Sequence, residues 1–359
     1  MNDLAKKYAA AYRHPAVTLL GELLDIPAPP GREDAMARFV SSKISALGFA
    51  PETDAAGNVL VRLTEGKTGD PVVLAAHLDE IALMVNRIEP DGRLMVTPSG
   101  GLMPHKIGER VMDIMGDDQI IKGVLSCGSG HVRVLNQVIQ WSDCCVYTGF
   151  SEPQLRKLGI HEGATMVPER AGRGPLVMGG PDDPFLAAWT FDDRMGMVVL
   201  LRLLERIKNG LKLPDWPLIL AFTVHEEGGC HGAKVLAHRE QPAAFIAIDG
   251  CPIMSDARLK LDGRPGLWIK DRRTSYDHAL NMALVKAADA AGVQLQRAVY
   301  SRPGSDASAV YDTGGAPAVA VMGHVRENSH GYEVARLSVF DNVLEVYAKF
   351  LETWKGPVK

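Results

Sequence analysis

Two adjacent carboxylates, Glu226 and Glu227, follow an apolar run in this 359-residue sequence. The run, residues 218–224, is short and rich in aliphatic side chains, as in a strand buried on both faces. Ligands bind at the carboxyl ends of strands in open α/β sheets. Neighbouring residues at a strand end point in different directions, so one carboxylate can hold a metal ion while the other moves a proton.

Other acidic and histidine residues take a similar place beside predicted strands and helices: His77, Asp192, Asp249 and His330. Each has an ordinary alternative when taken alone, namely a core histidine, a helix N-cap, a turn residue or a loop residue. The two glutamates could likewise be a solvated pair that opens a loop. Chance would also scatter such residues onto helix faces, so their repeated position indicates one shared site.

This set contains the ligands that a pair of divalent metal ions requires. Zinc, cobalt and manganese accept imidazole and carboxylate, and a pair of ions needs a bridging carboxylate, for which Asp192 is the candidate. One ion can then take His77 and Asp249. The other can take Glu227 and His330. Positions remain for water and substrate, as a catalytic site requires.

Two residues beside this set are candidates for catalytic roles. Asp79 lies two positions after His77 and can accept the second ring N–H of that histidine, which fixes its tautomer. Glu226 has no metal ion left to bind in this scheme. We therefore predict that Glu226 is the general base.

The composition is that of an ordinary globular protein, with 46% hydrophobic and 23% charged residues. A net charge of −4 gives no reason to expect nucleic acid or an anionic membrane as a partner. No apolar stretch is long enough to span a bilayer, and the first residues lack the apolar core of a secretory signal, so we expect a soluble, cytoplasmic protein. Five cysteines, with Cys144 and Cys145 adjacent, match neither a disulfide framework nor a zinc-thiolate motif. Buried thiols are expected, with a redox role for the adjacent pair as the alternative.

The order of predicted elements indicates two domains. Helices and buried strands alternate in residues 1–84 and again in residues 186–359, a pattern typical of an α/β domain. In residues 85–185, short alternating segments are punctuated by glycine and aspartate, and residues 151–158 are the only predicted helix. We therefore expect an inserted β-rich domain, a small barrel in one interpretation.

The motifs around the candidate residues resemble those of the M42 aminopeptidases, the TET-like group of co-catalytic metallopeptidases. Residues 77–85, HLDEIALMV, are similar to the family's AHxDEIGLMV segment. Residues 191–196, FDDRMG, are similar to its LDDRxG motif. Residues 223–233, TVHEEGGCHGA, are similar to TVQEEVGxRGA.

The later motifs of the family have counterparts in the same order. Residues 304–307, GSDA, resemble GTDA, and His330 with Glu333 resembles the closing HxxxE motif. The resemblance covers about residues 17–351, nearly the whole chain, and it retains every candidate ligand. His231 replaces the family's usual arginine and His225 stands where glutamine is common, so substrate preference and assembly stay open.

The resemblance implies a zinc-peptidase-like α/β/α sandwich with an inserted β-barrel domain that drives oligomerisation. It implies a metallo-aminopeptidase that releases N-terminal residues from peptides, with Glu226 as the base and two divalent ions per subunit. Zinc is the first choice of metal, with cobalt and manganese as alternatives. Because members of the family commonly assemble as dodecamers, we expect a homo-oligomer, with a dodecamer as the suggested state.

Two other functions remain as alternatives. A di-metal amidohydrolase of the M20 type, such as a carboxypeptidase, deacetylase or dipeptidase, would insert its extra domain after the third ligand, whereas here the long interval lies between His77 and Asp192. A catalytically silent scaffold protein would not require all the ligands and Glu226. Residues 270–273, KDRR, either recognise an acidic group of the substrate or form a solvated loop.

Overall fold

The computed structural model describes residues 3–64, 66–129, 131, 138–180 and 182–357, so the outermost residues of the predicted α/β domain, 1–2 and 358–359, lie outside it. The α-helices of this part of the chain are α1 (Asp3–Tyr12), α2 (Pro15–Leu24), α3 (Asp34–Ala46), α4 (Pro104–Ile107), α5 (Glu152–Lys157), α6 (Phe191–Lys208), α7 (His231–Glu240), α8 (His278–Ala290), α9 (Asp306–Asp312) and α10 (Ser338–Thr353). None of these helices is long and apolar enough to cross a membrane.

The strands of the same residues are β1 (Glu52–Thr53), β2 (Val59–Arg62), β3 (Val72–His77), β4 (Ala82–Ile88), β5 (Leu94–Ser99), β6 (Arg110–Met115), β7 (Ile120–Ser126), β8 (Cys145–Tyr147), β9 (Thr165–Pro168), β10 (Leu176–Met178), β11 (Phe185–Trp189), β12 (Leu218–Thr223), β13 (Ala244–Ala247), β14 (Cys251–Pro252), β15 (Gly266–Lys270), β16 (Gln296–Val299), β17 (Ala318–Gly323), β18 (Val325–Arg326) and β19 (Tyr332–Arg336).

A central sheet of eight strands has the order β1-β2-β12-β3-β13-β17-β15-β16. Its middle strands, β12, β3, β13 and β17, run parallel to one another. Thr223 lies opposite His77, and Ala247 lies opposite Ala75, so the carboxyl ends of β12, β3 and β13 meet at one edge. His77 ends β3, and the loops that leave β3, β12 and β13 carry Asp79, the two glutamates and Asp249.

Helices cover both faces of the sheet, which makes an α/β/α sandwich as predicted. On one face, α2, α3, α6, α8 and α10 contribute apolar side chains to one core. On the other face, α7 and α9 pack on the same strands through a second core. Every residue of β3 and β12 is buried, which explains why their sequences are continuous apolar runs without alternation.

The predicted inserted barrel is also present. Strands β4-β5-β8-β7-β6-β9 close into a barrel that lies in the sequence between β3 and α6. Its interior is a separate apolar core that includes Leu83, Val96, Met112, Val146 and Met166. After the barrel, β10 pairs with β11, and β11 pairs with β19 from the other end of the chain, which brings residues 332–333 beside residues 188–189.

Several of the elements that the sequence pattern does not predict are short. In the insertion, the structure adds the four-residue helix α4 and 3-10 helices at Trp141–Asp143 and Arg170–Gly172 to the one predicted helix. In the α/β domain, β15, β16 and α9 have five, four and seven residues. Segments of this length contain too few residues to display a clear hydrophobic period.

Candidate metal centre

His77, the last residue of β3, is only 3% exposed and is held from both sides of its ring. Its Nε2 atom lies 3.1 Å from Oδ1 of Asp192. Its Nδ1 atom lies 3.1 Å from the main-chain oxygen of Asp79 and 3.4 Å from the Oδ1 atom of the same residue. The ring therefore directs Nε2 toward Asp192 and Nδ1 toward Asp79.

Asp192 lies between two histidines that are far apart in the sequence. Its Oδ1 atom faces His77, and its Oδ2 atom lies 3.6 Å from Nε2 of His330. The backbone N–H of Asp192 donates to Glu333 at 3.0 Å, so the pairing of β11 with β19 holds this segment in place. A carboxylate with one oxygen toward each histidine has the geometry of a bridging ligand.

The neighbouring Asp193 has a different environment. Its Oδ2 atom accepts the backbone N–H of His77 at 3.2 Å, and its Oδ1 atom accepts the N–H of Gly196 at 2.9 Å. Both bonds go to the main chain, so Asp193 joins the end of β3 to the first turn of α6. Only Asp192 of this pair directs both oxygens toward histidine side chains.

The two glutamates after β12 are positioned through their backbone. The N–H groups of Glu226 and Glu227 both donate to the carboxylate of Asp79, each at 2.9 Å. The side chain of Glu227 places Oε1 3.5 Å from Nε2 of His330, and this buried oxygen has no hydrogen-bond partner among the described residues. An unpartnered buried carboxylate oxygen beside an imidazole is what a metal ligand is expected to show in the absence of its ion.

His330 lies in the loop before β19, and the inserted barrel domain contributes to its environment. Its Nδ1 atom lies 3.2 Å from the main-chain oxygen of Gly101, in the segment that follows β5. A Cβ atom at Gly101 would lie 2.8 Å from the same ring nitrogen, so a larger residue there would displace the histidine. The loop after β5 therefore forms one wall of the site.

The ligand atoms of the predicted residues fall into groups within 4.8 Å of one another. One group is His77, Asp192 and Asp249, and a second is Asp192, Glu227 and His330. These are the two ligand sets that the sequence predicts, with Asp192 common to both. A further group combines His77 with both glutamates, which places Glu226 beside the first set. Imidazole and carboxylate donors at this spacing could hold divalent metal ions.

The crowding of carboxylates shifts several pKa values. Burial, aided by the charge of Asp192, raises the pKa of Asp249 to about 7. Burial also raises the pKa of Glu226 well above its usual range. The Glu227 carboxylate raises the pKa of His330 to about 10. Neighbouring carboxylates contribute to all three shifts, and bound cations would offset their negative charge.

A buried arginine supports the bridging carboxylate, and the sequence pattern does not reveal it. Arg326 is only 2% exposed. Its Nε atom donates to Glu333 at 2.6 Å, and its Nη2 atom donates to Oδ2 of Asp192. A Cβ atom at Gly250 would overlap the guanidinium, so this position accommodates no side chain unless Arg326 moves. Although burial opposes ionisation, Arg326 and the two histidines hold the pKa of Asp192 well below its usual value.

Four of the five candidate ligands, Asp192, Glu227, Asp249 and His330, line a cavity of about 710 Å³. Its lining also contains three arginines, Arg272, Arg273 and Arg302. A Cβ atom at Gly304 would lie 3.1 Å from Nε of Arg272 and 3.3 Å from Nε of Arg273, so both guanidinium groups pack against this glycine. Within the described part of the chain, no carboxylate lies within 4.0 Å of the Arg272 or Arg302 guanidinium.

Comparison with known proteins agrees with this geometry. A family model described as M42 glutamyl aminopeptidase matches residues 57–346. In sequence, the chain is 28% identical to a glutamyl aminopeptidase of Lactococcus lactis subsp. cremoris over 323 residues, which are 87% of this chain and 88% of the relative.

Solved structures share the fold over nearly the whole chain. An aminopeptidase from the archaeon Desulfurococcus kamchatkensis superposes with a TM-score of 0.84 at 26% identity and covers 94% of this chain and 95% of its own. The Pyrococcus horikoshii TET1 peptidase, which can assemble into a tetrahedron or a large octahedral shell, superposes with a TM-score of 0.83 at 23% identity, over 94% of this chain and 99% of its own.

These matches decide between the two enzyme families considered from the sequence. The family model that matches is M42, and the relatives are named aminopeptidases, so the M20-type alternative is not favoured. The matched segment begins before β2 and ends inside α10, and it includes both halves of the α/β domain with the inserted barrel. The chain belongs to the M42 family of aminopeptidases.

Proposed function

We propose that this protein hydrolyses the N-terminal peptide bond of peptides with the aid of two divalent metal ions. The observation that carries the proposal is the position of Asp192, with Oδ1 3.1 Å from Nε2 of His77 and Oδ2 3.6 Å from Nε2 of His330. A carboxylate between two imidazoles can bridge a pair of ions, and a site for a single ion would not need such a bridge.

The proposed ligands are His77, Asp192 and Asp249 for one ion and Asp192, Glu227 and His330 for the other. Zinc is the proposed metal, and the same donors suit cobalt and manganese. When bound, such ions polarise the scissile carbonyl and lower the pKa of water. Arg326 and Glu333 keep the Asp192 carboxylate in position for this role.

Glu226 is the proposed general base. Its side chain lines the cavity and lies beside His77 and Glu227, where a carboxylate can take up and release a proton. Its carboxylate would take a proton from the attacking water and deliver it to the departing amine. Asp79 fixes the backbone from which Glu226 projects.

The basic residues of the cavity favour a substrate with an anionic group. The free α-amine of a peptide would bind at one of the proposed ions or at a carboxylate beside it. Arg272 and Arg302, which line the same cavity, would attract an acidic side chain. We therefore propose a preference for N-terminal glutamate or aspartate, in line with the name of the Lactococcus lactis relative.

We also propose that residues 85–185 form an inserted domain that joins subunits into a homo-oligomer, with the dodecamer as the state the family resemblance suggests. The outer face of the barrel supports this assignment, because Ile120, Val124 and Tyr147 are each at least half exposed and Val124 pairs directly with Tyr147. Light scattering should give a molar mass several times that of the 38.8-kDa chain. Val124→Glu should reduce it, and a wild-type protein with the mass of one chain would contradict the assignment.

Replacing Glu226 by glutamine tests the function most directly. Glu226→Gln should retain its metal ions and lower kcat for an aminoacyl chromogenic substrate about a hundredfold or more, because the amide cannot take up a proton. The matched control is Glu205→Gln, an exposed position on α6, which should leave kcat unchanged.

The same assay distinguishes an aminopeptidase from the remaining alternative, a catalytically silent scaffold protein. Near-normal kcat in Glu226→Gln would show that another group is the base. If the wild-type protein bound no metal and turned over no aminoacyl substrate, the scaffold hypothesis would replace the enzymatic one. Acetylation of the substrate's α-amine should abolish turnover, and its persistence would contradict an aminopeptidase.

A further inference from the structure

A second group of potential ligands contains Glu226 and none of the residues proposed to bind the metal pair. Cys230 immediately precedes α7, Asp306 is the first residue of α9, and these helices pack together on one face of the sheet. The Sγ atom of Cys230 lies 3.4 Å from Oε1 of Glu226. The ligand atoms of Glu226, Cys230 and Asp306 all lie within 4.8 Å of one another.

Asp306 directs an unpartnered oxygen into this group. The residue is 3% exposed, and its Oδ2 atom accepts the hydroxyl of Thr223 at 2.6 Å. Its Oδ1 atom is buried and has no hydrogen-bond partner among the described residues. No Lys, Arg or His nitrogen of those residues lies within 4.0 Å of the carboxylate oxygens of Asp306 or Glu226. A buried acceptor without a donor or a counter-ion is costly, and a bound cation would satisfy it.

The spacing is compatible with a tetrahedral metal ion. With a metal–sulfur distance of about 2.3 Å and a metal–oxygen distance of about 2.1 Å, two tetrahedral ligand atoms lie about 3.6 Å apart. In the metal-free protein the thiol of Cys230 donates a hydrogen bond to Oε1 of Glu226, and its length of 3.4 Å is close to this value. Both residues line the catalytic cavity, so an ion can reach them from solvent by the substrate's path.

We propose that Glu226, Cys230 and Asp306 form a separate, inhibitory site for a thiophilic divalent cation such as Cd²⁺ or excess Zn²⁺. On binding, the thiol of Cys230 loses its proton to solvent, a metal–sulfur bond forms, and the two carboxylates complete the protein ligands without any change of oxidation state. Thiolate selects zinc and cadmium over manganese and magnesium.

The inhibitory effect rests on the proposed role of Glu226 as the base, whereas the binding does not. A carboxylate whose oxygen holds a cation cannot take up a proton, so occupation of this site would stop proton transfer while leaving the metal pair in place. Excess Zn²⁺ or Cd²⁺ should therefore inhibit a manganese-loaded enzyme, and excess Mn²⁺ should not.

Binding is tested with Cd²⁺, because a cadmium–thiolate bond has an ultraviolet charge-transfer band that imidazole and carboxylate ligands do not give. The full-length protein is loaded with Mn²⁺ and titrated with Cd²⁺. Cys230→Ser should lose one equivalent of the band per chain, and Asp306→Asn should bind that equivalent about tenfold more weakly or worse. The matched control is Cys145→Ser, which replaces a buried cysteine of the barrel and should retain the equivalent of the band that Cys230→Ser loses.

Equal bands in wild type and Cys230→Ser would overturn the site, and so would an unchanged affinity in Asp306→Asn. Inhibition is measured as the ratio of rates with and without Cd²⁺ for each variant, and Cys230→Ser should need at least about tenfold more Cd²⁺ for the same ratio. If Cys230→Ser lost the band but Cd²⁺ did not inhibit wild type, the cation site would be confirmed and the role of Glu226 as the base would be contradicted. If no aminoacyl substrate were turned over at all, the band would still show whether the cation site exists.

Discussion

The carboxylate of Asp79 accepts the backbone N–H of Glu226 at 2.9 Å, across the boundary between strands β3 and β12. The same carboxylate accepts the N–H of Glu227 at 2.9 Å and lies 3.4 Å from Nδ1 of His77. One fully buried acid therefore connects the candidate base, a candidate ligand of the second ion and a candidate ligand of the first. The position of Asp79 explains how two strand ends are kept in register at the reaction site.

Asp79→Asn should weaken metal binding by about 10- to 100-fold and lower kcat as well. An amide has one oxygen acceptor, so its NH₂ group would face one of the two backbone N–H groups and push that glutamate out of position. Metal affinity is measured by competition with a chromophoric chelator, and kcat with an aminoacyl substrate. Asp118→Asn, an exposed position in the barrel, should change neither quantity. If both stayed within about twofold of wild type in Asp79→Asn, the carboxylate would have no positioning role.

The strand-end residues could be predicted because the sheet is parallel and buried. Continuous apolar runs such as residues 218–224 are characteristic of such strands, and their carboxyl ends meet at one edge whatever the details of the loops. His77, Glu227 and Asp249 follow such runs, so their types and positions indicated a shared metal site. His330 follows no such strand, and only the pairing of β19 with β11 brings it to Asp192.

The residues that support the ligands could not be predicted in this way. Arg326 stands among polar residues in a segment that reads as an exposed loop, yet it is buried against Asp192 and Glu333. Asp306 opens a helix of only seven residues, and its approach to Glu226 depends on the packing of α9 beside α7. Contacts of this kind join segments distant in sequence and leave no periodic pattern within either one.

Arg302→Glu should reduce the preference for acidic substrates. The arginine lies in the cavity wall without a carboxylate partner within 4.0 Å among the described residues, so its charge is available to a substrate. Reversing that charge should lower kcat/KM for a glutamyl substrate, relative to a leucyl one, by about tenfold, the factor that corresponds to about 1.4 kcal/mol.

The control for this prediction is Arg297→Glu, an exposed position on the edge strand β16, which should leave the ratio unchanged. Added salt should lower the wild-type preference for the glutamyl substrate, because the attraction between solvent-accessible charges is screened. A ratio that is the same in wild type and Arg302→Glu would mean that Arg302 does not contact the N-terminal side chain.

His324 makes the folded protein sensitive to acid at a position outside the proposed ligand set. The residue is fully buried, its ring lies 5.3 Å from that of Phe340, and neither ring nitrogen has a hydrogen-bond partner among the described residues. Burial, and then the charge of Arg326, lowers the pKa of His324 to about 3. In the unfolded chain the pKa of histidine is about 6.5, so between these two values the unfolded state binds the proton and the folded state does not.

The contribution of His324 to the free energy of unfolding should therefore fall as the pH decreases from about 6.5 toward about 3, by about 2 kcal/mol at about pH 5. Buried carboxylates such as Asp249, whose pKa is raised to about 7, act in the opposite direction, so the test compares variants. His324→Phe removes the histidine contribution and keeps a ring of similar size in an apolar environment. Urea unfolding of the metal-free protein gives the change in unfolding free energy between about pH 8 and about pH 5, and this change should be about 2 kcal/mol more favourable in His324→Phe than in wild type. His238→Phe, at an exposed position on α7, should show the wild-type change. An equal change in wild type and His324→Phe would place the acid sensitivity in other groups.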